Sequence, residues 1–74
     1  MAIVRKLERL TLEHHSPHSE ASCTYSIIQD DAGKSLQVDT YGSAQRKMLD
    51  KKSQSIRFSP EAITQLREIL SKDF

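Results

Sequence analysis

Several things that would announce a function are missing from this chain. It has a single cysteine, no tryptophan, two glycines and two prolines, and its aromatic share is 5 %. The lone Cys23 excludes an internal disulfide. No apolar run approaches the roughly 18 residues that a membrane-crossing helix needs, and neither a signal peptide nor a lipidation motif is present. The expected setting is therefore a reducing cytoplasm, with no membrane partner. There is no glycine-rich phosphate loop, no serine elbow and no HExxH pair. An excess of charge of one sign is also absent: the formal net charge is +1, which by itself argues against nucleic acid as a partner.

The residues that could carry chemistry do not assemble into a catalytic or metal-binding pattern. His14, His15 and His18, with Cys23 five residues on, are ligand types that zinc prefers, but they sit in a polar run without a second spaced pair to complete a tetrahedron. Solvated loop histidines are the plainer reading. Cys23 would need a base and an orienting group to act as a nucleophile, and a lone strand cysteine is more often a small packing residue. Asp30 and Asp31 belong to a turn, where aspartate is favoured for its local backbone hydrogen bonds, so they make a poor acid–base pair with Asp39. The expectation is a binding protein, with no enzyme activity, cofactor or metal.

At 74 residues the chain is expected to form one domain, residues 1–74. A domain of that size buries only about 60 % of its unfolded surface. The apolar share of 36 % is low against the usual 45 to 50 % or roughly so, a range that also counts glycine. With no disulfide to add stability, a homodimer is the expected way to enlarge the core.

What is present is organised. Residues 20 to 39 carry Glu20, Asp30, Asp31 and Asp39 against Lys34 alone, whereas residues 46 to 57 carry Arg46, Lys47, Lys51, Lys52 and Arg57 against Asp50 alone. A local positive field is thus compatible with a neutral total. Ser59-Pro60-Glu61 combines an N-cap hydroxyl, a proline at the first helical position and a carboxylate at the positive end of the helix dipole. Ala62, Ile63, Leu66, Ile69 and Leu70 then recur at helical spacing, with Thr64, Gln65, Arg67, Glu68 and Lys72 opposite, which predicts an amphipathic C-terminal helix. Phe58 stands where a hydrophobic staple to Ile63 would begin.

Strands are expected upstream. Ile56 and Phe58 alternate around Arg57, and CTYSII, DDAGK and SLQVDTY read as a hairpin in which Gly33 takes a positive φ. Leu36 and Val38 are expected to face inward, with Gln37, Asp39 and Tyr41 on an open side where a ligand would lie. Residues 3–12 suit helix or strand, and a strand is preferred because the sheet needs another member. HHSPHSEAS, residues 14 to 22, reads as a loop. The resulting class is α+β: a small twisted antiparallel sheet of about four strands followed by one C-terminal helix, in the order ββββα.

The run TYSIIQDDAGKSLQVDTY, the basic loop, and KKSQSIRFSPEAITQLREIL together resemble the core of the positive cofactor four family of transcriptional coactivators and its bacterial relatives, over about residues 24–71. Gly33 and Lys34 match that family's turn, Val38 and Asp39 its second strand, Lys52 and Ile56 its basic strand entry, and Pro60, Glu61 and Leu66 its helix. The resemblance implies a homodimer that binds single-stranded DNA, with the helices forming much of the subunit contact. The chain departs from the pattern where Gln54 or Ser55 stands for a glycine before the last strand, and its helix ends almost at the C-terminus.

Taken together, the expectation is a dimer that binds single-stranded DNA or RNA through Lys34, Arg46, Lys47, Lys51, Lys52 and Arg57, with a base stacked on Tyr41 and with Ile63, Leu66, Ile69 and Leu70 at the dimer interface. The alternative is a small adaptor or inhibitor that engages a protein partner and uses its lysines for solubility or steering.

Overall fold

The computed structural model describes residues 1–42 and 52–74. A four-stranded sheet is followed by one C-terminal helix: β1 (Ala2–Val4), β2 (Ser22–Asp30), β3 (Gly33–Tyr41), β4 (Gln54–Phe58) and α1 (Pro60–Asp73). The spatial order is β1-β4-β3-β2. β2 and β3 form the expected hairpin, joined by Asp31 and Ala32, with nine consecutive pairs from Ser22↔Tyr41 to Asp30↔Gly33. The Asp30 carboxylate accepts the Ala32 N–H at 2.9 Å, which fixes the turn. Gly33 has φ of 124°, a conformation that favours glycine, and a Cβ there would also approach Pro60 Cγ closely, at 3.2 Å.

β4 runs antiparallel to β3, whereas β1 runs parallel to β4, through Ala2↔Ile56, Ile3↔Arg57 and Val4↔Phe58. The sheet is therefore mixed, with one parallel edge strand added to an antiparallel three-stranded core. Within residues 3–12 only Ile3 and Val4 belong to a strand; Leu10 and Leu12 are exposed and irregular. The reason lies in the topology. β1 and β2 occupy opposite edges, so the chain must cross the molecule between them, and it docks on the helix as it does so. Leu7 N–H donates to Gln65 Oε1 at 2.8 Å, and Gln65 Nε2 donates back to Leu7 C=O at 2.9 Å. Gln65, read from its spacing as a solvent-facing residue, is half-buried and acts as this clamp.

The helix begins as its sequence requires. Ser59 Oγ accepts the Ala62 N–H at 3.2 Å, and Ser59 N–H donates to Val4 C=O at 3.0 Å, so one buried residue joins helix, β4 and β1. Ala62 is fully buried, and the helix lies against β3 and β4.

The two sides of the sheet are used the other way round from the expectation. Paired residues share a side, and successive residues alternate. One side carries Tyr25, Ile27, Leu36, Val38 and Ile56; the other carries Ile28, Gly33, Ser35, Gln37, Asp39, Tyr41, Ser55 and Arg57. Pro60 stands over Gly33, and on that second side Ser35, Asp39, Tyr41 and Ser55 are buried. On the first side Tyr25, Ile27 and Ile56 are exposed, and Leu36 and Val38 are only half-buried. The apolar side is thus the open one. Period-2 alternation separates two sides but does not say which of them the helix will cover.

Candidate nucleic-acid interface

The covered side contains a continuous chain of polar contacts. Arg57 on β4 stands opposite Gln37 on β3, and Ser55 stands opposite Asp39. Arg57 donates to Gln37 Oε1 from Nε at 3.1 Å and from Nη2 at 2.7 Å. Gln37 Nε2 in turn donates to both oxygens of Asp39, at 3.3 and 3.1 Å. An ionised carboxylate only accepts, so Asp39 forces the amide to turn its NH2 inward and its oxygen toward Arg57. Asp39 orients Gln37, and Gln37 orients Arg57.

Asp39 is 3 % exposed, yet it stays ionised. A hydrogen bond from Ser55, followed by those from Gln37 and Lys52, holds its pKa below the usual carboxylate value against the opposing effect of burial. Lys52 Nζ lies 3.3 Å from Asp39 Oδ2, so the Lys52 ammonium already has a counter-charge. Arg57 differs. Its bound partner is a neutral amide, and among the described residues no carboxylate lies within ion-pair distance of it. Its guanidinium is therefore fixed in direction without a paired carboxylate, beside an open cleft lined by Met1, Ala2, Ile3, Gln37 and Ser55.

The other sequence-selected residues are placed as follows. Lys34 is exposed at the start of β3, on the apolar side with Tyr25 and Ile27. Tyr41 is 5 % exposed, with its hydroxyl 3.0 Å from Thr24 Oγ1, so it packs as a structural residue and offers no free ring face for a base. Tyr25, 73 % exposed and directly opposite Val38, is the ring that solvent reaches. Arg46, Lys47 and Lys51 lie outside the described residues. Ile63, Leu66 and Ile69 are half-buried within the chain, and Leu70 remains 51 % exposed. His14, His15, His18 and Cys23 are all exposed, and His18 Nδ1 lies 2.9 Å from the Ser16 C=O. Asp30 is taken up by its turn.

Sequence reading missed the role of Gln37 as the link between Asp39 and Arg57. The i, i+2 spacing of Gln37 and Asp39 places them on one side of a strand, but the register that brings Arg57 opposite is not a local property. Comparison with known protein families, with curated proteins and with solved structures gave no match.

Proposed function

We propose that this protein binds single-stranded nucleic acid without catalysing a reaction, as a cofactor in transcription or DNA maintenance. The observation that supports this most is the uncompensated guanidinium of Arg57, aimed by Gln37 and Asp39. A planar cation whose side-chain freedom is already lost contacts a phosphate at less entropic cost than a free lysine does. Lys52, at the end of the same network, and Arg46, Lys47 and Lys51 supply further phosphate contacts in this reading, whereas Lys34 stands on the opposite side of the sheet. Tyr41 is buried, and the exposed Tyr25 stands on the opposite side of the sheet from Arg57, so this reading rests on phosphate contacts rather than on stacking. The resemblance to the positive cofactor four family points to the same class of ligand and to a dimer.

Fluorescence anisotropy with short labelled single-stranded and duplex DNA at two salt concentrations tests the proposal. Single strands should bind more tightly, and affinity should fall steeply with salt as counterions are released. Replacing Lys47, Lys51 and Lys52 by Ala should lower the salt slope by about two units, at roughly 0.7 per single-strand contact, and should do so for unrelated sequences alike. Arg57→Gln should weaken binding in the same sequence-independent way. Absence of binding at low salt would overturn the proposal. One observation favours the adaptor reading instead: the exposed pair Tyr25 and Ile27 on β2, a surface suited to protein rather than phosphate.

A further inference from the structure

The two edges of the sheet are unequal. β1 is three residues long, the kind of short edge that resists adding another strand. β2 is nine residues long, pairs with β3 without a bulge, contains no proline, and carries no charge from Ser22 to Gln29. Among the described residues nothing pairs with its outer side. None of the usual protections of an edge strand is present in it.

We infer that β2 pairs antiparallel with β2 of a second copy of this chain, across a two-fold axis at Ser26, to make one continuous eight-stranded sheet. This contact is distinct from the helix-mediated one that the family resemblance implies, and it does not depend on nucleic-acid binding.

Three features select a second copy over a foreign strand. The first is self-complementarity. Centring the pair on Ser26 overlaps the strand along its whole length and sets Tyr25 opposite Ile27 of the other copy, and Ile27 opposite its Tyr25. The two most exposed apolar side chains of the open face, at 73 % and 61 %, thereby cover one another on the same side of the sheet. Aromatic against β-branched is a favourable cross-strand pair. The second is charge. With none between Ser22 and Gln29, two copies meet without like charges opposed, and the terminal Asp30 meets the neutral Ser22. The third is the small core. Among the described residues only Tyr41 and Ala62 are buried apolar residues, so a single chain is short of buried apolar surface, and the Tyr25–Ile27 contacts at the joined edges add to it.

Hairpin geometry agrees with this pairing. The two-residue connection makes Asp30 and Gly33 its closing hydrogen-bonded pair. The alternation that follows directs the backbone groups of Ser22, Thr24, Ser26 and Ile28 toward β3 and leaves those of Cys23, Tyr25, Ile27 and Gln29 directed outward. In the dimer Tyr25 and Ile27 then form the hydrogen-bonded pair, and the two Ser26 residues face each other as a non-hydrogen-bonded pair with Cα atoms about 4.5 Å apart. That separation suits a disulfide, whose Cα atoms usually lie roughly 4.4 to 6.8 Å apart.

The test combines light scattering with cysteine placement. At micromolar concentration the parent should have the mass of two chains. Ile27→Lys places a charge on a side chain that is exposed in the single chain, so it should leave the circular-dichroism spectrum unchanged and halve the mass. In a Cys23→Ser background, Ser26→Cys should give a disulfide-linked dimer under mild oxidation, and Ile28→Cys should cross-link several-fold more slowly because it faces Thr24. A monomeric parent overturns the inference, including one that binds an extended foreign peptide. So does a dimer that survives Ile27→Lys, or one that is dissociated by Leu70→Glu in its place, which would put the contact on the helix.

Discussion

Asp39 shows how one side chain links stability to the proposed site. Its carboxylate receives Ser55, Gln37 and Lys52, and its pKa is held below that of a free carboxylate by those contacts. Glu61 is shifted in the same direction by Ser59, by its own backbone N–H and by the nearby charge of Arg5. For both groups the folded chain holds the proton less tightly than the unfolded chain does. Their stabilisation is therefore fully present above the ordinary carboxylate pKa of about 4, and it is lost as pH falls through the lower folded values. Denaturant midpoints should decline below about pH 4. Asp39→Asn should lower the midpoint at neutral pH and flatten that decline; an unchanged acid slope would show that the Asp39 contacts contribute little in solution. Arg57 stands at the far end of the same chain of contacts, so Asp39→Asn should also weaken single-strand binding although residue 39 touches no phosphate in this reading.

Among the elements, the helix depends most on one residue. Ser59 caps its first turn, Pro60 supplies the fixed φ of the first helical position, and the Ser59 N–H continues the β1 contact from Val4. Ser59→Ala should cost about 1 kcal/mol, within the range of roughly 0.5 to 2 for lost caps, measured as a shift in denaturant midpoint at constant slope. The backbone bond to Val4 survives that change, so the β1–β4 ladder should keep its hydrogen-exchange protection while the first helical turn loses some. The Arg9–Asp73 pair at the other end of the helix contributes little by comparison, because both partners are largely exposed at a separation of 3.9 Å.

For the whole molecule, the dominant feature is an apolar sheet side that stays in water while polar residues lie beneath the other side. A single chain arranged in this way has a small core, and its stability should depend on association. If two chains join through β2, the melting temperature should rise with protein concentration, because dissociation accompanies unfolding. Ile27→Lys should remove that dependence and lower the melting temperature at every concentration. A melting temperature that is constant across a hundredfold range of concentration for the parent would show instead that the open face is tolerated by the monomer.

Local sequence alone determined the elements. Ser59-Pro60-Glu61 and the spacing of Ile63, Leu66 and Ile69 specify a helix, and the DDAG turn between alternating strands specifies a hairpin closed at Gly33, because capping, proline geometry and positive φ act over a few residues. Tertiary structure decided the rest. A three-residue β1 has too little pattern to choose its partner, and it joins β4 in parallel once the chain between β1 and β2 is clamped by Gln65. Arg57 meets Gln37 through a register set across strands, a relation that no local pattern contains. The side on which the helix lies buried Tyr41 and Asp39 and left Tyr25 and Ile27 in solvent. Alternation fixes which residues stand together, but covering a side is a packing decision made by residues far away in the chain.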